Sequence, residues 1–218
     1  MRNGGQVVDC ALLTAIGVLP DGRRSVLGTS VSLSEAEVHW RTFFESLLAR
    51  GMHGVELVVS DDHSGLGAAR KAVLPAVPWQ RCQFHLQQNA QSYVPKQSIK
   101  GEVAQDLRNV FNAPNRQEAE RLLKLAADKY RQAAPKLAEW MEANVPEGFA
   151  VFGLPAAHRK RLRTSNALER LNKEIARRTR VATLFPNEAS LLRLASAVLV
   201  EIDEEWKAGK RYLTMEAN

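Results

Sequence analysis

The spacing of the apolar residues changes period once along this chain, and that change restricts the fold more than any other feature. Up to about Leu86 the apolar residues come in short runs bounded by turn residues; from about Gln87 onward they recur every three to four positions. Residues 6–19 are β-rich and end at Pro20-Asp21-Gly22, a strong turn signal, and residues 24–32 form a second strand, so a hairpin opens the chain. Ser34-Glu35-Ala36-Glu37 has the spacing of a capping box, with Leu33 and Val38 placed as a hydrophobic staple. The following helix offers Val38, Phe44, Leu47 and Leu48 to a core and ends near Gly51. Val55 to Ser60 is a short apolar strand of the kind covered on both faces, followed by Asp61, Asp62 and His63. A helix fits residues 65–73, and Pro75 and Pro78 bracket the loop before a strand from Trp79 to Leu86.

In the helical part, Ile99, Val103, Leu107 and Val110 keep the 3.6 period, as do Ala119, Leu122, Leu123, Ala126 and Tyr130. A helix follows from Ala167 to about Thr179, Phe185-Pro186-Asn187 interrupts, and a long helix from Glu188 to Trp206 turns Leu191, Leu194, Ala195, Val198 and Ile202 inward. The order of elements predicts a mixed α/β sheet with one antiparallel side, carried by residues 1–86 and 164–218, with an all-helical insertion over 87–163. A chain of 218 residues can bury one sizeable core, or one core with a helical subdomain.

No apolar run approaches the roughly 18 residues a membrane span requires, and the N-terminus lacks an apolar leader, so the expected compartment is the cytoplasm. Cys10 and Cys82 are too few for a disulfide framework and read as reduced thiols. The formal charge is +6, and its location matters more than its size. Nine Lys or Arg and only two acidic residues lie between His158 and Arg180, so this one segment holds the whole excess. Such a strip suits contact with a polyanion; a solvated helix face is the alternative.

Asp61 stands just past a buried strand, where α/β sheets place their ligands, and a carboxylate there suits a hard divalent cation. The alternative is a turn or N-cap role for Asp61, Asp62 and Ser64 before the next helix. Glu169 falls on the flank of the Leu168, Leu171 and Ile175 stripe, beside Asn172. A capping box with Asn166 or an ion pair with Lys173 would also explain it. Arg170, Lys173, Arg177 and Arg178 wrap the same helix, and with Arg180 they are the candidate phosphate contacts. Cys82-Gln-Phe-His85 is half of a zinc pattern, but residues i and i+3 of a strand point to opposite faces, which argues against joint chelation. Packing or hydrogen bonding near Asp61 is the reading left for Cys82 and His85.

Three segments together resemble the Mutator-type transposases of bacterial insertion sequences. Val58-Val-Ser-Asp61-Asp-His63-Ser-Gly65-Leu66 is similar to the family's block around its second catalytic aspartate, and Trp79-Gln-Arg-Cys82-Gln-Phe-His85 to the strand that follows, with its Cys-x-x-His signature. The segment from Ser165 through Glu169 to Val181, continued by Phe185-Pro186-Asn187, resembles the block that carries the catalytic glutamate. The resemblance implies a ribonuclease-H-like fold, an Asp, Asp, Glu set, and a helical insertion between the last two carboxylates. It also implies two Mg²⁺ or Mn²⁺ ions, with Asp61 and Glu169 as ligands and Asn172 positioning the site. The implied partner is double-stranded DNA, at terminal inverted repeats and at a target, handled by a homo-oligomer or together with a full-length transposase.

One departure accompanies these matches. The family's first aspartate lies on a strand for which this sequence has no counterpart, because residues 6–19 resemble the second strand. Asp9, in the middle of that segment, is a poor substitute. The expectation is an internal start at Met1, a sheet without its first strand, and little activity of the chain alone. The alternative is a DNA-binding or interaction remnant that does not cut.

Overall fold

The computed structural model describes residues 1–3, 5–180 and 184–215. Its strands are β1 (Arg2–Asn3), β2 (Gln6–Val7), β3 (Ala11–Val18), β4 (Arg24–Ser32), β5 (Val58–Ser60) and β6 (Trp79–Arg81). Its α-helices are α1 (Glu37–Ala49), α2 (Ser64–Val73), α3 (Gln83–Ala90), α4 (Lys100–Phe111), α5 (Arg116–Tyr130), α6 (Pro135–Asn144), α7 (Ala156–Leu162), α8 (Asn166–Thr179) and α9 (Glu188–Ala208). Contacts divide the chain into two compact units. The hairpin unit comprises Met1–Val55, Asp62–Ala76 and the described part of Asn166–Asn218; the helical unit comprises Glu56–Asp61 and Val77–Ser165. Among the described residues no helix is long and apolar enough to cross a membrane.

The hairpin unit is organised by the antiparallel pair β3 and β4, in register from Ala11 opposite Ser32 to Val18 opposite Arg24. Alternation along β3 sends neighbouring leucines to opposite faces. Leu13 packs with Trp40, Phe43, Phe44 and Leu47 of α1 and with Leu66 and Ala69 of α2. Leu12, Ile16 and Val26 pack with Leu171 and Ile175 of α8 and with Ala195, Val198 and Leu199 of α9. The hairpin is therefore covered by helices on both faces, and each fully buried Leu or Phe contributes roughly 1.5–3 kcal/mol. A bulge lies between Ala15, opposite Gly28, and Ile16, opposite Val26.

Asp203 of α9 ties that helix to β4: its carboxylate accepts from Ser25 Oγ at 2.9 Å and from the Val26 amide at 2.7 Å. Burial pushes this carboxyl up, but Lys207, the Val26 amide and the Ser25 hydroxyl together hold it below its ordinary range. At the hairpin turn Gly22 adopts a φ of +82°. Its amide donates to Leu19 O at 2.8 Å, and its carbonyl accepts from the amides of Tyr212 (2.8 Å) and Leu213 (2.9 Å).

The helical unit joins a short parallel pair, β5 and β6, to the bundle of α3–α6. Val58 pairs with Trp79, Val59 with Gln80 and Ser60 with Arg81. The bundle core contains Leu86, Val103, Leu107, Val110, Leu123, Leu137, Met141 and Phe149, including the expected apolar stripes of α4 and α5. Buried polar groups link the pair to the bundle. Gln80 Oε1 accepts from the Val151 amide at 2.9 Å, and Arg81, 3% exposed, donates to Asn144 (3.1 Å) and Glu147 (2.8 Å).

Five local expectations are corrected. The strands make three two-stranded ladders, β1–β2, β3–β4 and β5–β6, in place of one mixed sheet. Residues 6–19 are not one strand, since the chain leaves extended pairing between β2 and β3. The strand at Trp79 ends at Arg81, because the Leu86 amide bonds back to Cys82 O (3.0 Å) and opens α3, which buries Leu86 and Ala90 at helical spacing. The capping box at Ser34 does not form: α1 starts at Glu37 with Ala36 as its N-cap, and Ser34 Oγ accepts from the Ala36 amide at 3.4 Å. Leu33 and Val38, 54% and 61% exposed, form no buried staple, and Trp40 and Phe43 occupy the core instead.

Candidate functional site

Asp61, Cys82 and His85 belong to the helical unit; Glu169, Arg170, Asn172, Lys173, Arg177, Arg178 and Arg180 belong to the hairpin unit. Asp61 is exposed and is the first residue past β5. The strand reaches that point with its last residue pinned: the Ser60 carbonyl accepts from the Cys82 amide at 2.7 Å, and its hydroxyl donates to Asp61 O at 2.8 Å. The N-cap of α2 is His63, which makes no side-chain cap bond, so neither Asp61 nor Asp62 is the N-cap of that helix. An exposed carboxylate on a fixed strand end supplies the hard oxygen donor that Mg²⁺ or Mn²⁺ requires.

Cys82 and His85 differ from the strand reading. Cys82 is the N-cap of α3 and His85 lies in its first turn, where residues three apart share a side. The Cys82 sulfur and a His85 ring nitrogen lie within 4.8 Å of one another. Cys82 is fully buried, and its Sγ accepts from the Ser165 amide at 3.4 Å. The His85 ring meets Phe84 edge to face at 5.6 Å, and its buried Nδ1 has no hydrogen-bond partner among the described residues.

In α8, Leu171 and Ile175 point into the core, 3% and 4% exposed. That leaves Glu169, in the first turn, half-buried on the flank. Lys173 makes no ion pair among the described residues, so the Glu169–Lys173 pair weighed as an alternative is not formed. Arg170, Asn172, Lys173 and Arg180 are exposed. Arg177 and Arg178 are not free cations. Arg177 grips Glu174 with two bonds of 2.9 and 2.7 Å, and Arg178 bonds Glu174 at 2.8 Å and Glu201 at 2.6 and 3.0 Å. Arg177 first, and Arg178 second, hold the Glu174 carboxyl down at about 2.

The basic strip is thus partly consumed by the fold. Arg159 donates to the carbonyls of Leu154 (2.9 Å) and Pro114 (2.7 Å), and Arg163 donates to Asn112 Oδ1 at 2.7 Å. Lys160, Arg170, Lys173 and Arg180 form no ion pair among the described residues. The reading of sequence missed Glu174 and Glu201 as counter-charges. Glu174 carried a local signal, three and four positions before Arg177 and Arg178; Glu201, on another helix, carried none. It also missed Ser60 and Trp79, whose side chains bond at 2.9 Å. Val181, the last residue of the glutamate-bearing block, lies outside the described residues.

Comparison with known proteins identifies the family. Residues 1–209 match the family described as "Transposase, Mutator family". The transposase for insertion sequence element IS406 of Burkholderia multivorans is 59% identical over 98% of this chain and 55% of its own length. The transposase for insertion sequence element ISRM5 of Rhizobium meliloti is 40% identical over 99% of this chain and 54% of its own. The transposase for insertion sequence element IS256 in transposon Tn4001 of Staphylococcus aureus is 33% identical over 99% and 56%. The chain spans about half the length of these curated relatives. With a match over nearly all of its residues, the chain belongs to the Mutator family of transposases.

Proposed function

We propose that this chain is part of the catalytic region of an insertion-sequence transposase of the Asp, Asp, Glu type. In this reading residues 1–86 and 164–218 are a ribonuclease-H-like core and residues 87–163 its helical insertion. Asp61 and Glu169 take the second and third places in the carboxylate set, and no residue of this chain is assigned the first. The observation that carries the reading is the state of Asp61: exposed, at the end of a pinned strand, and not used as the cap of α2.

Two bound Mg²⁺ or Mn²⁺ ions would supply the Lewis acidity for in-line attack on a phosphodiester. The protein's own part is to present Asp61 and Glu169 as oxygen ligands and to hold the DNA. Arg170, Lys173 and Arg180, exposed and unpaired with carboxylates among the described residues, contact phosphates, and Asn172 on the same helix positions the strand. Arg177 and Arg178 contribute only as far as Glu174 and Glu201 release them. Cys82 and His85 support the end of β5 near Asp61. The substrates are the element's terminal inverted repeats and a target duplex, in the cytoplasm. The acting species is a homo-oligomer or an assembly with a full-length transposase.

The test is strand cleavage and joining on terminal-repeat DNA with Mg²⁺ or Mn²⁺, comparing the chain with Asp61→Asn and Glu169→Gln. With the first carboxylate unassigned, the expected activity of the chain alone is weak: a low level of metal-dependent products that vanishes in both variants. Salt-sensitive binding without any product would identify a non-cutting DNA-binding remnant instead.

A further inference from the structure

The assignment of Asp61 as a cation ligand leaves open what keeps an exposed residue at a strand end in one place. We propose that Ser60 and Trp79 are positioning residues for Asp61, acting as one hydrogen-bonded relay; this rests on the reading of Asp61 above. The register sets the relay up. Trp79 lies opposite Val58, and Ser60 is two residues further along β5, so the side chains of Ser60 and Trp79 rise on the same face as diagonal neighbours. The indole Nε1–H, which can only donate, bonds Ser60 Oγ at 2.9 Å. That occupies a lone pair of the hydroxyl and directs its proton to the remaining acceptor, Asp61 O, at 2.8 Å. The Cys82 amide fixes the other side of the same residue through Ser60 O at 2.7 Å.

Ser60 is only 7% exposed, so its hydroxyl is largely shielded from water. The peptide on which Asp61 is mounted is therefore held from the neighbouring strand, and the carboxylate enters solvent from a fixed origin. Loss of the indole N–H frees the hydroxyl to rotate, and loss of the hydroxyl leaves the Asp61 carbonyl without its donor. Either change loosens the ligand without touching it. Groups that orient a metal ligand are worth about 10–100-fold in metal affinity.

The experiment is a Mn²⁺ titration of the whole chain, free Mn²⁺ being read by electron paramagnetic resonance, for wild type, Asp61→Asn, Ser60→Ala, Trp79→Phe and the double variant Ser60→Ala/Trp79→Phe. Asp61→Asn defines the Mn²⁺ that depends on this carboxylate. Ser60→Ala and Trp79→Phe are each expected to weaken that same Mn²⁺ about tenfold. The double variant is expected to be no weaker than Ser60→Ala alone, because both changes cut one relay. Thermal melting of each variant reports packing loss separately, and a stability effect alone would not move the Mn²⁺ affinity of folded protein. If Asp61→Asn binds Mn²⁺ as wild type does, the assignment of Asp61 falls and the relay with it. If Asp61→Asn weakens binding while Ser60→Ala and Trp79→Phe leave it unchanged, or if their effects multiply in the double variant, the relay is overturned and the assignment of Asp61 stands.

Discussion

Replacing Glu174 with Gln should make the chain bind DNA more tightly, and the size of the gain follows from the guanidinium pairs of α8. Each phosphate neutralised on B-DNA contributes about −0.9 to the slope of log K against log salt. With Arg170, Lys173 and Arg180 as the proposed phosphate contacts, the native slope should be about −2.7. Glu174→Gln releases Arg177, which among the described residues pairs with no other carboxylate, while Arg178 keeps its two bonds to Glu201. One more cation then reaches phosphate, and the slope steepens to about −3.6. Adding Glu201→Gln frees Arg178 as well and brings it to about −4.5. The assay is fluorescence anisotropy of a labelled duplex over a range of salt concentrations. Glu45→Gln, on the exposed side of α1, makes the same change in net charge without releasing a guanidinium. A Glu174→Gln slope equal to that of Glu45→Gln would refute the reasoning, because long-range charge would then account for the whole gain.

Other expectations concern stability and titration. Gly22→Ala combines a left-handed φ of +82° with a Cβ that would collide with Leu213 O, whereas Gly51→Ala has a φ of +96° and nothing within 4 Å. Backbone strain alone costs about 1–2 kcal/mol, and losing the two bonds from Tyr212 and Leu213 costs about 1–3 kcal/mol more. Gly22→Ala should therefore melt several degrees below Gly51→Ala, and equal melting would mean that the Tyr212 and Leu213 bonds to Gly22 contribute no stability. The Glu174 carboxyl should titrate near pH 2 by NMR. Its folded value is depressed, so the stability it contributes is complete above its unfolded value and fades as pH falls toward 2; a midpoint at the ordinary 4.5 would mean that the Arg177 and Arg178 pairs do not persist in solution. Asp203→Asn should lower the melting temperature, because the packed contact of α9 with β4 loses its charged acceptor; an unchanged melt would assign that contact to packing alone.

Much of the framework was legible wherever periodicity was sustained. Leu12 and Leu13 alternate between two helical layers as a period of two requires, and Val103, Leu107 and Val110 meet in the bundle core as a period of 3.6 requires. Short segments were ambiguous. Trp79 to Leu86 reads equally as strand or helix over eight residues, and the chain changes from one to the other at Cys82, which reverses the expected geometry of Cys82 and His85. The motif at Ser34 was present in sequence but unused, because the residues it would staple, Leu33 and Val38, face solvent. Charge count was the least reliable guide to a surface. Arg159, Arg163, Arg177 and Arg178 look alike in sequence to Arg170 and Arg180, but carbonyls, an amide oxygen and the carboxylates of Glu174 and Glu201 engage them. The exposed carboxylate of Asp61 was legible from the apolar strand before it; the Ser60 and Trp79 side chains behind it were not, because their pairing depends on strand register.

The proposal that Asp61 and Glu169 both act as divalent-cation ligands is tested most directly by a double-variant cycle in Mn²⁺ affinity. If they do, Asp61→Asn and Glu169→Gln should each weaken binding by about tenfold or more, and the combined variant should lose little beyond the stronger single effect. Effects that multiply, or a Glu169→Gln chain that binds Mn²⁺ as tightly as wild type, would contradict it.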